Sequence, residues 1–408
     1  MTQSVVHHVP AGAKSGPAKT IPPLRRIGRA ATLVGACLLA LSTLGGEARA
    51  EAATSAASPA VQAAIVAAVA KERRVYGGRT PVPAVLVGVW DGAGASYVRA
   101  FGYADLAKRR ALTPADHFRI GSNTKTFAIS VLLQLVDEGK LSLDDPLSRF
   151  ALGVAIPNAR NITIRELCEM RSGLFEAFDT PELSHTKLTG DMTFNSRTMI
   201  SWAAKQKPYF APGTSYRYTN TNYLILGLVV EALTKDSIGD QIRKRLLVPF
   251  HLTQTSYPAT QAIPNPWAHG YGLDKEQNWQ DVSGTIPISL MGSAGEMISN
   301  MADMKRWTAL YVTGKTSAAA TQRARLTCIP IGEGNMSFGL GIGCSAGWYG
   351  YTGGLPGYNT ANYYFPASGI TIVAWVPLQR DKPSPGVANA IFRDIARIMT
   401  PTHVPFVK

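Results

Sequence analysis

Apolar and polar residues alternate in blocks along this chain, and the period of the blocks changes from one stretch to the next. Over 58–76, Val61, Ile65, Val66 and Val69 recur at helical spacing and predict an amphipathic helix. Ala84–Trp90 and Ser96–Tyr103 then read as two strands joined across Asp91-Gly92-Ala93-Gly94. A long amphipathic helix follows over Lys125–Glu138 and is stopped by Gly139. The middle, roughly 123–300, is mostly helical with long loops and includes the apolar helix Tyr223–Leu233. Strand character returns over Ser337–Ile342, Ala361–Phe365 and Ile370–Pro377, the last two joined by Pro366–Gly369. The final element, Pro385–Met399, sets Val387, Ile391, Ile395 and Ile398 at helical spacing. Strands at both ends with helices between them predict an α/β (α+β) chain, one sheet closed by both termini around a helical insertion. The expected division is 51–122 with 301–408 for the sheet domain and 123–300 for the inserted, mostly helical domain.

The first 50 residues have a different character. Lys14, Lys19, Arg25, Arg26 and Arg29 precede the apolar run Ala30–Leu44, and Ala48-Arg49-Ala50 follows it. Basic, apolar and A-x-A blocks in that order describe an export signal over 1–50, cut before Glu51. The apolar run is short for a membrane span, so none is expected in the mature form. Arg25-Arg26 hints at twin-arginine export. Val34-Gly35-Ala36-Cys37 resembles a lipoprotein cleavage box, but apolar residues continue past it, which ranks a lipid anchor second. The expected location is therefore periplasmic or extracellular.

Charge adds little to this picture. The formal charge of +14 falls to about +9 without the leader, as in many exported enzymes and compatible with an anionic wall polymer such as peptidoglycan. No dense Lys/Arg run with interleaved aromatics supports nucleic-acid binding. Cys328 and Cys344 bracket a Gly-rich, hairpin-like stretch and could pair in an oxidising compartment, leaving Cys168 free; a pair of reduced thiols stays equally open. No Cys or His spacing suggests a metal, and no cofactor is called for.

The candidate chemistry lies in FRIGSNTKTF, 118–127, where Ser122 and Lys125 stand three residues apart at the start of the long helix. Residues i and i+3 share a helix face. A serine hydroxyl is a weak nucleophile that needs a base, and a lysine amine becomes one when burial disfavours its charged form. The apolar run Phe127-Ala128-Ile129 offers that dry setting. A second S-x-x-K, Ser184–Lys187, sits among Pro181, His185 and Gly190 and reads as a solvated loop. Downstream, Tyr218-Thr219-Asn220 supplies a phenol to relay a proton to a leaving group and an amide to hold substrate and Lys125. Tyr351-Thr352-Gly353-Gly354, expected just before a strand, lets a substrate lie along the strand edge. The backbone N–H of Gly354, with that of Ser122, could form an oxyanion hole.

Together these three elements, in this order, resemble the serine β-lactamase and penicillin-recognising D-alanyl-D-alanine carboxypeptidase superfamily, particularly its class C and carboxypeptidase-like branch. The stretches ITIRELCEMRSGL, APGTSYRYTNTNYLILG, GSAGEMISNMADMKRW and FGLGIG extend the likeness over roughly 60–400. The resemblance implies an antiparallel sheet flanked by helices beside an all-helical domain, with the active site between them. It implies Ser122 as the acylated nucleophile, Lys125 as its base, Tyr218 as second proton carrier and Asn220 as a substrate ligand. Thr352 would contact a substrate carboxylate and Gly354 would complete the oxyanion hole. The family's third element usually begins with lysine or histidine, whereas Tyr351 brings a hydrogen bond but no charge, unless Arg323 or Arg325 compensates.

The expected activities rank as a D-alanyl-D-alanine carboxypeptidase-like peptidase first, a carboxylesterase second and a β-lactamase third, on small peptide, ester or β-lactam substrates. A non-catalytic, penicillin-binding-like protein is the alternative from another class. Gly343-Cys344-Ser345-Ala346-Gly347 also fits the G-x-S-x-G elbow of α/β-hydrolases, but no helix-forming segment follows it.

Overall fold

The computed structural model describes residues 57–77, 81–378 and 386–407. The export signal, the lipoprotein box and Pro385 lie outside these residues. Among them, no helix is long and apolar enough to cross a membrane.

The chain begins with helix α1, Pro59–Gly77, and the hairpin of strands β1, Ala84–Trp90, and β2, Ser96–Asp105. Asp91 sets that turn: its Oδ1 accepts from the N–H groups of Ala93 and Ala95 at 3.1 and 2.7 Å. After the short strand β3, Arg110–Ala111, come helix α2, Thr124–Asp137, and helix α3, Asn220–Thr234. The C-terminal part supplies strands β4, Ile329–Pro330; β5, Met336–Gly339; β6, Ile342–Ser345; β7, Trp348–Leu355; β8, Tyr358–Phe365; and β9, Ile370–Val376. Helix α4, Val387–Met399, closes the chain.

Among the described residues these nine strands form one antiparallel sheet in the order β3-β2-β1-β9-β8-β7-β6-β5-β4. The N-terminal β1 pairs with the C-terminal β9, Val87 opposite Ala374, so both ends of the chain close the sheet, as expected. Period-2 alternation then divides the side chains of the central strands. Val85, Val87, Val89, Ile372 and Ala374 pack with Ile65 and Val69 of α1 and with Val387, Ile391 and Ile395 of α4. On the other face Leu86, Val373 and Trp375 join the larger core that contains Phe118, Phe127, Trp307 and the apolar residues of α2 and α3.

Two strand expectations need correction. The strand expected over Ser337–Ile342 is interrupted at Leu340-Gly341, where Gly341 has φ of 65° and the chain folds back into a hairpin of β5 and β6. The segment Tyr351–Gly354 lies inside β7 rather than before a strand. Ser345, the elbow candidate, ends β6, and Ala346 and Gly347 with φ of 50° and 83° turn directly into β7. Two consecutive positive φ values suit a tight hairpin, so the elbow reading is excluded. Cys328 and Cys344 are disulfide-bonded and Cys168 is free and buried.

Candidate active site

Ser122 lies in a single 3₁₀ turn, Gly121–Asn123, that leads into α2. Gly121 has φ of 52°, and a Cβ there would lie 2.9 Å from Gly354 N, so the turn can approach strand β7 closely only with glycine. Gly353 is equally constrained, since a Cβ would lie 2.0 Å from Ile120 O. Thr360 on the next strand locks this junction, donating to Ile120 O at 3.1 Å and accepting from Asn123 Nδ2 at 2.9 Å. The Gly353-Gly354 backbone thus lies against the turn that carries the serine.

Helix α2 is not the amphipathic helix expected: it is buried almost all round from Thr124 to Leu133, with Thr126 and Ser130 bonded to backbone carbonyls one turn back. Its one cation, Lys125, is 0% exposed. The Nζ donates to Ser122 Oγ at 3.0 Å, to Asn220 Oδ1 at 2.8 Å and to Ala294 O at 2.7 Å. Burial pushes its pKa down to about 7, against the opposing pull of the Glu176 carboxylate. A lysine in this state is a substantial fraction free amine at neutral pH.

Tyr218 Oη donates to the same Ser122 Oγ at 2.8 Å. The residue is 38% exposed, but its hydroxyl end is enclosed, and desolvation there pushes the pKa up to about 12 while the bond to Ser122 opposes the shift. It therefore stays protonated and able to donate. The Lys125 amine also sits 5.1 and 5.4 Å from the ring centres of Tyr218 and Tyr223. Asn220 is the first residue of α3 and Thr219 its N-cap, so the amide faces Lys125 rather than capping the helix.

Glu176, in the loop after Ser172-Gly173-Leu174, was invisible in the sequence reading. Its Oε2 accepts from Asn220 N at 2.6 Å and from Asn220 Nδ2 at 3.2 Å. That pair of bonds fixes which end of the amide is oxygen and turns Oδ1 toward Lys125. Burial raises the carboxyl's pKa, opposed by the N–H donors of Asn220 and Phe178. A signal existed only in spacing from Ser172-Gly173-Leu174, which carries no chemistry of its own.

Tyr351, 4% exposed, lies beside Tyr218 with its pKa raised well above the usual phenol range by burial. The two hydroxyls are close enough to interact, yet Tyr351 Oη has no partner within normal hydrogen-bond geometry. Thr352 is half-buried on the same strand and borders the same cavity as Tyr218 and Tyr351. Neither proposed compensating arginine faces it. Arg325 is fully buried and donates to Ser130 Oγ at 2.9 Å and Thr126 O at 3.3 Å, and Arg323 is exposed on its helix. The second S-x-x-K is not assembled either: Ser184 ends a one-turn helix and donates to Thr180 O at 3.0 Å. Burial also pushes the Cys168 thiol far up, which leaves it inert.

This arrangement can generate a nucleophile at neutral pH and protonate a departing group beside it. Protein flp of Staphylococcus aureus (strain COL) is 28% identical over 257 residues, 62% of this chain and 49% of its own length. The chain thus spans about half the length of the first relatives it matches. The putative penicillin-binding protein PbpX of Bacillus subtilis (strain 168) is 24% identical over 72% of this chain and 71% of its own. A D-stereospecific amidohydrolase from Streptomyces sp. superposes with a TM-score of 0.71 at 26% identity, covering 82% of this chain and 99% of the other. The D-amino acid amidase of Ochrobactrum anthropi SV3 shares the fold, with a TM-score of 0.73 at 20% identity over 83% of this chain and 99% of its own. The Beta-lactamase family model matches residues 61–395, and the chain belongs to that family of serine hydrolases and penicillin-binding proteins.

Proposed function

We propose that the protein is an exported serine hydrolase that forms an acyl-enzyme on Ser122 and acts on small amides or esters with uncharged leaving groups. The observation that carries the reading is the fully buried Lys125 amine, 3.0 Å from Ser122 Oγ with its pKa near 7. Ser122 Oγ attacks the substrate carbonyl carbon while its proton passes to Lys125 Nζ. The oxyanion is stabilised by the N–H groups of Ser122 and Gly354. As the carbon–heteroatom bond breaks, Tyr218 gives its proton to the leaving group and regains one from the Lys125 ammonium. Water then attacks the acyl carbon by the same route, and Ser122 leaves protonated. Asn220 holds Lys125 and the substrate, and Thr352 lies along the strand edge where the substrate binds.

The preference for uncharged leaving groups rests on Tyr351, which supplies no cation, and on the position of Arg325 beneath α2. A D-alanyl-D-alanine carboxypeptidase, with peptidoglycan as its polymer, is the second reading, favoured by the family likeness and the basic charge. Parallel assays with p-nitrophenyl butyrate, nitrocefin and a diacetyl-Lys-D-Ala-D-Ala peptide test the ranking. The ester should turn over fastest, and all turnover should vanish in Ser122→Ala. Faster release of D-alanine than of p-nitrophenol would reverse the ranking.

A further inference from the structure

Beside the Ser122 site a cavity of 120 Å³ opens between the loop that carries Tyr218 and strand β7 with Tyr351 and Thr352. Tyr216, Ile331, Met336, Phe338 and Phe406 make most of its wall apolar, and Ser337 and Asn389 also border it. The Phe338 ring lies 5.7 Å from that of Tyr216 and meets the Tyr351 ring edge-on at 5.8 Å. Among the described residues no Lys, Arg, Asp or Glu lines it. The Tyr351 hydroxyl is buried at its edge, beside that of Tyr218.

We propose that this cavity is the leaving-group subsite and that it takes a single uncharged aryl group, as in an arylmethyl ester or amide. The proposal rests on the hydrolase reading above. Its first argument is position. Tyr218 Oη stands 2.8 Å from Ser122 Oγ, and the group it protonates departs on the side where Tyr218 stands, which is where the cavity opens. The second is shape: a void of about 150 Å³ lined by apolar side chains accommodates benzene, so this cavity is on the scale of one ring. Ring faces and edges on three sides suit an aromatic occupant. The third is charge. A carboxylate entering here would lose its hydration with no cation to replace it, and Glu333 already acts on Tyr216 as an unfavourable negative charge. The hydroxyls of Tyr351 and Thr352 at its border offer polar contacts for the heteroatom or a ring substituent. In the acylation step the bond from the acyl carbon to the arylmethyl oxygen breaks, Tyr218 supplies the proton, and the neutral alcohol remains in the cavity until it diffuses out.

The test separates binding from turnover. Benzyl alcohol and 4-carboxybenzyl alcohol are titrated by NMR into Ser122→Ala protein, which cannot react, and into the same protein carrying Tyr216→Ala or Phe338→Ala. Tyr216 is half-buried on a loop, so that variant keeps the test intact if loss of the Phe338 ring disturbs the strand. Benzyl alcohol should bind, at least several-fold more weakly in either variant, and the carboxylate should not. In the active protein, kcat/KM for benzyl acetate should exceed that for methyl acetate roughly tenfold or more, because the two alcohols have closely matched acidity and differ in the apolar area they bury. Tyr216→Ala and Phe338→Ala should bring that ratio toward one. Benzyl alcohol that fails to bind, binds all three proteins alike, or binds no better than its carboxylate analogue overturns the subsite, whatever the turnover. Intact, variant-sensitive binding with neither acetate hydrolysed would instead remove the hydrolase reading and leave the aryl site standing.

Discussion

Replacing Glu176 by glutamine should move the acid limb of the pH–rate profile downward by about one unit. Glu176 Oε2 is 3.2 Å from Asn220 Nδ2, and Asn220 Oδ1 is 2.8 Å from Lys125 Nζ, which places the carboxylate and the ammonium roughly 7 Å apart. At an effective dielectric of about 20, that attraction is worth about 2 kcal/mol, or between one and two pKa units. Burial raises the Glu176 pKa and so works against its charged form, and the lower end of the range is expected. The sign follows from which form the carboxylate favours. It stabilises the ammonium, so its removal lowers the Lys125 pKa and makes the free amine available at lower pH. Glutamine can still accept from both Asn220 donors through its carbonyl oxygen, which preserves the amide's orientation. The assay is kcat/KM for a neutral ester from pH 5 to 9, where the acid limb reports the free enzyme. In wild-type protein the limb should fall near pH 7, and in Glu176→Gln near pH 6. A weaker base also abstracts a proton less readily, so the plateau should drop modestly. An unshifted limb in Glu176→Gln, at any plateau height, would refute the claim that Glu176 acts on Lys125 by its charge.

Three further outcomes are expected. Lys125→Ala should slow labelling of Ser122 by a fluorophosphonate 10²–10⁴-fold or more, since a positioned base contributes about that much; near-normal labelling would mean that another group takes the serine proton. Tyr351→Lys should raise turnover of a D-Ala-D-Ala peptide relative to p-nitrophenyl butyrate, and an unchanged ratio would show that missing charge at this position does not set selectivity. Cys344→Ser should lower the urea midpoint by the equivalent of about 3 kcal/mol, because the lost bridge closes a loop across a sequence separation of 16. A midpoint equal to that of the oxidised wild type would contradict this.

What could be read from the sequence was what short-range chemistry determines. The S-x-x-K pair was legible because i and i+3 on a helix must meet, and the dry run behind Lys125 told which of the two matches could lower an amine's pKa. The central strands were legible as short runs rich in β-branched apolar residues, and the last helix because Val387, Ile391 and Ile395 share one face that packs on the sheet. Legibility failed where long-range contacts decide. Glu176 meets Asn220 across 44 residues, and nothing local marks it as the group that orients the amide. Arg325 looked available to Tyr351 by sequence, but its guanidinium is committed to the backbone and Ser130 beneath α2. The broken strand at Leu340-Gly341 was missed because apolar residues continue through the turn and hide the change of direction. Likewise Tyr351-Thr352-Gly353-Gly354 read as a Gly-rich approach to a strand. Its glycines are there because the Ile120-Gly121 backbone packs against them.

The ionisation of a single side chain tests the whole account most directly. With lysines labelled at Cε by ¹³C, the resonance missing from Lys125→Met identifies this residue, and its shift can be followed from pH 5 to 11. A midpoint close to 7 is the predicted result. A midpoint at the ordinary lysine value of about 10.4 would show that the amine beside Ser122 is protonated throughout the working range and is not the base that activates it.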